Sequence, residues 1–201
     1  MSSSELIFDR MIAHVQALEQ TSLGLKEITS VLLSMYSDIE IPSDVFSRLA
    51  EDPHHPYSRK ILINHPNLEM MIACWTPNYP CAPHDHGDSH SAILVLDGCS
   101  EHKSYRIMDG ELVCSDTEYK TKGDIITCPP HQIHSMKGHP NLITLHLYTT
   151  SIDDMLVFDM DHRKTFLVDG GCGAWLPDSD DGVLARAAGY VRRESLQQDI
   201  P

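Results

Sequence analysis

A series of short apolar or alternating segments between residues 57 and 160 constrains the fold more than any other feature of this sequence. The predicted strands are 58–64, 69–75, 91–97, 101–107, 112–119, 124–128, 142–149 and 154–160. Turn-forming pairs such as Asp97-Gly98 and Asp109-Gly110 separate several of them. Many short strands with tight connections and no intervening helix predict a mainly β protein, either an antiparallel barrel or a jelly roll.

Two segments before these strands have the period of amphipathic helices. Their apolar positions are Phe8, Met11, Ile12, Val15 and Leu18, then Leu25, Ile28, Val31, Leu32 and Met35. Steps of three and four residues predict two helices that each pack one face on the barrel. A third short helix is predicted after Pro42, and an amphipathic helix from about 183 to 194 follows the polar loop 178–183.

These patterns divide the chain into three parts. Residues 1–52 form a helical N-terminal extension, residues 53–177 the β-barrel, and residues 178–201 a C-terminal tail with a short helix. With 201 residues and 41% hydrophobic content, the chain fits either one compact domain or a domain with a small appendage.

The charge balance excludes several classes of partner. The chain has 15 Lys and Arg against 29 Asp and Glu, which gives a formal net charge of −14. Such a surface repels phosphate backbones and anionic lipids, so neither nucleic acid nor a membrane is expected as a partner. The sequence shows no apolar run near the roughly 20 residues of a membrane span and no secretory signal at its start. We therefore expect a cytoplasmic protein.

Histidine, rather than cysteine, carries the metal-binding signal. None of the six cysteines has CxxC spacing, which predicts free thiols and no zinc ribbon. His84 and His86 are two residues apart, so in a strand both point to one face, and His134 is the best candidate for a third ligand. The same parity points the Asp85 side chain away from the face of the two histidines. Whether Asp88 is a ligand stays open. Imidazole suits iron, zinc, nickel and copper, so the ligands alone do not identify the metal.

The spacing around these histidines resembles the two motifs of the cupin family. The matching positions are His84, His86 and Gly98 in the first motif, and Gly123, Pro129 and His134 in the second. Ser91 stands where a typical cupin has an acidic ligand. The resemblance implies a cupin barrel whose metal has three neutral imidazole ligands. Such a centre keeps its full positive charge and has open positions for a thiolate, a second substrate donor and O₂.

Four pieces of the sequence resemble the cysteine dioxygenase family of thiol dioxygenases. They are Tyr57-Ser58-Arg59, His84-Asp85-His86-Gly87-Asp88-Ser89-His90, the segment around His134, and Thr144-Leu145-His146-Leu147-Tyr148. The match runs from about Tyr57 to Phe158, roughly half of the chain. It implies that His84, His86 and His134 bind Fe(II). It also implies that both atoms of O₂ are added to a small thiol, which gives a sulfinic acid.

The resemblance also assigns roles to five residues on two segments. Arg59, helped by Tyr57, would bind the substrate carboxylate, for which the planar guanidinium is well suited. Thr144, His146 and Tyr148 would form a catalytic hydrogen-bond chain beside the iron, with Tyr148 also facing the substrate and O₂.

Two positions bear on which member of the family this is. Mammalian relatives have a cysteine at the position of Ser91, linked covalently to the tyrosine that matches Tyr148; Ser91 predicts no such crosslink, as in bacterial relatives. Relatives that act on 3-mercaptopropionate have Gln at the position of Arg59, so Arg59 favours L-cysteine as substrate and cysteine sulfinic acid as product.

Three alternatives stay open from the sequence. The chain could oxidise another small thiol carboxylate such as 3-mercaptopropionate. It could be a cupin isomerase or a dioxygenase of carbon substrates, or a non-catalytic metal-binding cupin that senses a small ligand. We expect a monomer or weak homo-oligomer. We also expect five further histidines to be structural or surface residues: His90, His102, His131, His139 and His162.

Overall fold

The N-terminal helices lie where the apolar periodicity predicts them. In the computed structural model, which describes residues 3–16, 18, 23–38 and 52–197, α1 spans Ser3–Gln16 and α2 spans Leu25–Asp38. Their buried side chains share one hydrophobic core with the neighbouring sheet: Ile7, Phe8, Met11, Val15, Ile28, Leu32 and Met35. The helix predicted after Pro42 lies outside the described residues.

Antiparallel strands make up most of the remaining described chain. Their bounds are β1 Tyr57–His65, β2 Leu68–Trp75, β3 Ser91–Asp97, β4 Cys99–Met108, β5 Glu111–Thr121, β6 Ile125–Cys128, β7 Ile133–Gly138, β8 Ile143–Tyr148, β9 Asp154–Asp159, β10 Lys164–Asp169 and β11 Val183–Ala188. They form a five-stranded sheet in the order β1-β2-β8-β3-β6 and two three-stranded sheets, β5-β4-β7 and β11-β10-β9. Pairing between strands far apart in sequence, such as β2 with β8, is typical of a jelly roll. The predicted mainly β cupin barrel with N-terminal helices is confirmed.

The five-stranded sheet has two apolar faces with different partners. Strands β2 and β8 are buried along their whole length. Alternate residues, Leu68, Met70, Ile72, Leu145 and Leu147, pack towards the helices. The residues between them point into the barrel, because side chains along a strand alternate between faces. Burial of each large apolar side chain stabilises the fold by about 1.5–3 kcal/mol. Packing against the helices therefore stabilises the sheet whose other face lines the barrel.

The opposite wall of the barrel is joined through the segment that contains His84. His84 forms isolated bridges with both His134 of β7 and Val157 of β9. This segment therefore lies between the two three-stranded sheets and connects them. One of the predicted ligands is thus part of the barrel wall.

Gly98 allows the tight turn between β3 and β4. Its φ of 76° lies in the left-handed region, and a Cβ at this position would approach the backbone nitrogen of Leu142 to 2.6 Å. A residue without a side chain is required there, because both the backbone conformation and the space exclude one.

The structure corrects the prediction for the C-terminal tail. The segment from about 183 to 194 is not a helix: residues 183–188 form β11, which pairs with β10, and only Arg193–Gln197 form a short helix, α3. Gly182 and Gly189 flank β11 with positive φ, which ends regular structure on both sides. Strands β7 and β10 were also absent from the predicted set. The division at residues 52 and 177 stays a prediction. Within the described part of the chain, no helix has the length and apolar content needed to span a bilayer.

Candidate metal centre

Three buried histidines converge inside the barrel. One ring nitrogen each from His84, His86 and His134 lies within 4.8 Å of the others. His84 and His134 exchange two backbone hydrogen bonds of 2.9 Å, which hold their side chains next to each other. His86 follows two residues after His84. The structure therefore brings together the three residues that the sequence predicts as ligands.

The outer nitrogens of two rings are already engaged. His84 Nδ1 donates to the carbonyl of Ala82 at 2.9 Å, and His134 Nδ1 lies 3.0 Å from His102 Nε2. Nε2 of each ring is then available to a metal, and Nε2 of His134 lies 3.3 Å from that of His86. Burial lowers the pKa of all three histidines, so their rings are neutral and keep a free lone pair at pH 7. This donor set fits a divalent transition metal.

Neither nearby aspartate joins the histidines. Asp85 is buried and turned away, and its Oδ1 accepts a hydrogen bond of 2.8 Å from the backbone N–H of Leu156, as strand parity predicts. Asp88 is exposed and lies 3.1 Å from His131 Nε2. Ser91, at the position of the usual acidic ligand, lies on β3 opposite Tyr148 of β8. Among the described residues, no carboxylate belongs to the histidine group.

A hydrogen-bond chain runs along the inner face of β8 towards the histidines. Trp75 Nε1 donates to Thr144 Oγ1 at 2.8 Å, and this hydroxyl lies 2.7 Å from His146 Nε2. His146 Nδ1 lies 3.0 Å from the Tyr148 hydroxyl, whose ring centroid is 5.1 Å from that of His86. The three residues predicted to form a chain are thus in contact, with Trp75 added at the far end.

Burial sets the protonation of this chain. It lowers the pKa of His146 to about 3 and raises the pKa of Tyr148 well above its ordinary value. At neutral pH the imidazole is therefore neutral and the phenol keeps its proton. A protonated phenol beside a metal site can donate a hydrogen bond to a bound oxygen.

Tyr57 and Arg59 lie on the inner side of β1. The Tyr57 hydroxyl accepts a hydrogen bond of 2.9 Å from the Ala174 N–H, and burial raises its pKa to about 12. Arg59 Nη2 donates to the carbonyls of Gly170 at 3.2 Å and Gly171 at 2.9 Å. Both side chains line the small cavity that also contains the three histidines, His146 and Tyr148.

Two further residues with polar side-chain groups line this cavity and were not found from the sequence. Glu69 of β2 is only 6% exposed, and its Oε2 accepts a hydrogen bond of 3.0 Å from Ile152 N–H. Trp75 lies on the same face of the same strand. The signal for Glu69 was present: it is the one charged residue in a strand whose other positions are all apolar.

His102 and Cys128 surround the outer side of His134. Cys128 Sγ lies 3.6 Å from His134 Nδ1. One possible ligand atom each of His102, Cys128 and His134 lies within 4.8 Å of the other two. His134 Nδ1 already lies within hydrogen-bond distance of His102. We therefore interpret His102 as a buried structural residue whose contact orients the ligand ring, a role that the sequence did not predict.

Comparison with known proteins points to one family. The family model described as "Cysteine dioxygenase type I" matches residues 5–161. Cysteine dioxygenase type 1 of Danio rerio is 22% identical over 156 residues, covering 72% of this chain and 74% of the relative. The Homo sapiens protein of the same name is 22% identical over 204 residues, covering 92% and 98%.

A solved structure with a double-stranded β-helix domain, an uncharacterized conserved protein from Klebsiella pneumoniae, matches with a TM-score of 0.47. It is 14% identical and covers 60% of this chain and 93% of its own. The family match spans well over half of the chain. This protein, with three histidines able to hold a metal inside its barrel, belongs to the cysteine dioxygenase type I family of metal-dependent oxidoreductases that use O₂ and a small molecule.

Proposed function

We propose that this protein is an Fe(II)-dependent thiol dioxygenase that converts L-cysteine and O₂ to cysteine sulfinic acid. The observation that carries the proposal is one cavity lined by three neutral histidines, Tyr148 and the Arg59 guanidinium. A thiol bound at the histidine end and a carboxylate bound at Arg59 fit a short thiol carboxylate. The thiol sulfur gains both oxygen atoms and loses four electrons to O₂, so no external reductant is needed.

The proposed reaction with O₂ requires a redox-active metal, and the three imidazoles are compatible with iron. Because no carboxylate joins them among the described residues, they would leave the full charge of the metal for anionic ligands. When bound, iron(II) would lower the pKa of a coordinating thiol and allow electron transfer to O₂. His84 and His134 would hold the metal through Nε2, since their Nδ1 atoms are engaged elsewhere.

The other cavity residues bind and orient the substrate. Arg59 binds the carboxylate with its remaining N–H groups, while its contacts to Gly170 and Gly171 fix the guanidinium. Tyr57 packs beside it and supports that wall through its bond to Ala174.

The hydrogen-bond chain on β8 holds a proton next to the reacting sulfur. Tyr148 keeps a proton on its hydroxyl oxygen and donates a hydrogen bond to the oxygen that reacts. His146 orients this hydroxyl, and Thr144 orients His146. The buried surroundings exclude water from the phenol, since Tyr148 is 3% exposed.

The cytoplasm is the proposed setting, and a monomer or weak homo-oligomer the proposed state. All six cysteines are free thiols in the structure, which suits a reducing compartment.

The proposal is tested by O₂ consumption of the Fe(II)-loaded protein with L-cysteine, 3-mercaptopropionate and cysteamine compared side by side. We expect uptake with L-cysteine, matched one to one by cysteine sulfinic acid. Uptake only with another thiol would retain the reaction type and change the substrate. Absence of uptake with every thiol, despite bound iron, would contradict the proposal.

Arg59→Gln tests the carboxylate site separately. Loss of a charged hydrogen bond predicts a Michaelis constant for L-cysteine raised about tenfold to a hundredfold, with iron content unchanged. Arg186→Gln is the matched control, because Arg186 is exposed and pairs with exposed Asp180. Unchanged kinetics in Arg59→Gln would remove Arg59 from its assigned role.

A further inference from the structure

The cavity contains a second charged side chain of opposite sign to Arg59. Glu69 lies on β2 directly opposite Tyr148 of β8, on the face that points into the barrel. It is 6% exposed, and the other seven residues of its strand are apolar. A buried carboxylate on such a strand costs free energy unless a partner compensates its charge.

The partners of Glu69 within the protein use only part of its hydrogen-bonding capacity. Oε2 accepts the backbone N–H of Ile152 at 3.0 Å. Among the described residues, Oε1 has no hydrogen-bond partner, and Arg59 forms its close contacts with Gly170 and Gly171 instead. Burial raises the pKa of Glu69, and the charge of Arg59 in the same cavity opposes this effect. The cavity thus has one cationic and one anionic group that are not paired with each other.

From this arrangement we infer that Glu69 binds the amino group of the substrate and makes the cavity selective for thiols that carry both an amino group and a carboxylate. The inference rests on the proposed function and adds the residue that recognises the amino group of its substrate. An α-amino thiol carboxylate places its carboxylate at Arg59 and an N–H at Glu69 Oε1. Its cationic amino group and its carboxylate then each face a group of opposite charge, Glu69 and Arg59.

The same arrangement disfavours substrates that lack one of the two groups. A thiol with a carboxylate alone adds an unbalanced negative charge near Glu69 and leaves Oε1 without a partner. A thiol with an amine alone leaves Arg59 without its anion. A site built to hydrogen-bond a substrate group rejects analogues without that group, because its own polar atoms then stay buried and unpaired.

The charge of Glu69, rather than its hydrogen bond to Ile152, is the feature that distinguishes substrates with an amino group from those without one. A neutral amide oxygen would accept the same N–H from Ile152. Glu69→Gln therefore keeps the contact that ties β2 to the segment after β8. It removes the negative charge and replaces the free acceptor Oε1 with an NH₂ donor. This separates substrate recognition from a structural role.

The experiment compares wild type and Glu69→Gln with L-cysteine, 3-mercaptopropionate and cysteamine. Two quantities are measured on the Fe(II)-loaded protein: kcat/KM from O₂ uptake, and affinity by calorimetry without O₂. Wild type should prefer L-cysteine over both analogues. In Glu69→Gln, the preference for L-cysteine over 3-mercaptopropionate should fall about tenfold to a hundredfold in both measurements.

Asp153→Asn is the matched control. Asp153 is an exposed carboxylate beside Ile152, outside the cavity lining. Removal of the Asp153 charge should change the preference for L-cysteine over 3-mercaptopropionate by less than about twofold, because water screens an exposed charge.

The outcomes separate this inference from the proposed function. No O₂ uptake with any thiol would remove the proposed function, while a calorimetric preference for L-cysteine that Glu69→Gln abolishes would still support the role of Glu69. Equal preference in wild type and Glu69→Gln would overturn the inference. So would a wild-type preference for 3-mercaptopropionate, a result that needs no variant to fold.

Discussion

His102 shows how a residue that does not face the cavity can determine the metal site. Its ring is 3% exposed, and burial lowers its pKa to about 4, so it is neutral at pH 7. Two neutral rings that meet at 3.0 Å share one proton, with one nitrogen donating and the other accepting. When His134 donates through Nδ1 to His102 Nε2, the Nε2 atom of His134 is free for the metal. The proton of His102 is then on Nδ1, which lies 3.9 Å from a carboxylate oxygen of Glu118.

We expect His102→Ala to lower metal affinity about tenfold to a hundredfold, because His134 then loses the partner that fixes its ring. His102→Glu offers an acceptor for the same N–H and should recover most of the loss. Competition with a chelator of known affinity measures both. Equal affinities in wild type and His102→Ala would show that the backbone bridge between His84 and His134 alone orients the ring.

At the scale of residues, the sequence predicted the members of the site that a short spacing connects. His84 and His86, or Thr144, His146 and Tyr148, lie two residues apart within a single segment. The structure brings the side chains of each set together, although His84 and His86 lie outside the named strands. His102 and Glu69 belong to the same region only because β4 pairs with β7 and β2 with β8. Such contacts depend on register, which a single sequence does not fix.

At the scale of elements, the C-terminal tail differs most from the prediction. Residues 183–188 are rich in helix-forming Ala, Leu and Arg, yet pairing with β10 makes them a strand, because tertiary contacts override a weak intrinsic preference. The same region has an unexpected role. Arg193 of α3 lies between Asp154 and Asp85, and Asp85 is the residue between the first two histidines.

We expect Arg193→Met to lower the free energy of unfolding by about 3 kcal/mol, because it leaves the buried Asp85 carboxylate without its cation. The methionine keeps the apolar stem of the side chain. Arg193 is 11% exposed and Asp85 2%, whereas the control pair of Arg186 and Asp180 is 55% and 86% exposed. Arg186→Met should change stability by less than about 0.5 kcal/mol. Similar urea midpoints for the two variants would mean that the backbone N–H groups of Leu156 and Gly87 are enough to compensate the buried Asp85 carboxylate.

At the scale of the whole molecule, net charge and buried neutral groups act together at alkaline pH. The formal charge is already −14 at pH 7 and becomes more negative as lysines, exposed tyrosines and thiols lose protons. Tyr57 adds a second effect, since its pKa rises from 10.0 to about 12 in the fold. Between these values the unfolded chain releases the proton that the folded chain retains, so stability falls as the pH rises.

Tyr57→Phe separates the two effects. At pH 8 the variant should be less stable by about 1 kcal/mol, because the Ala174 N–H loses its acceptor. Above pH 10 wild type should lose about 1.4 kcal/mol more per pH unit than the variant, so the two become about equal near pH 11. Urea unfolding from pH 8 to 11 measures this difference. Added salt should weaken the charge repulsion common to both proteins without closing the gap between their slopes, because screening does not reach a buried phenol. Parallel pH profiles would show that the Tyr57 hydroxyl is not held in its neutral form by the fold.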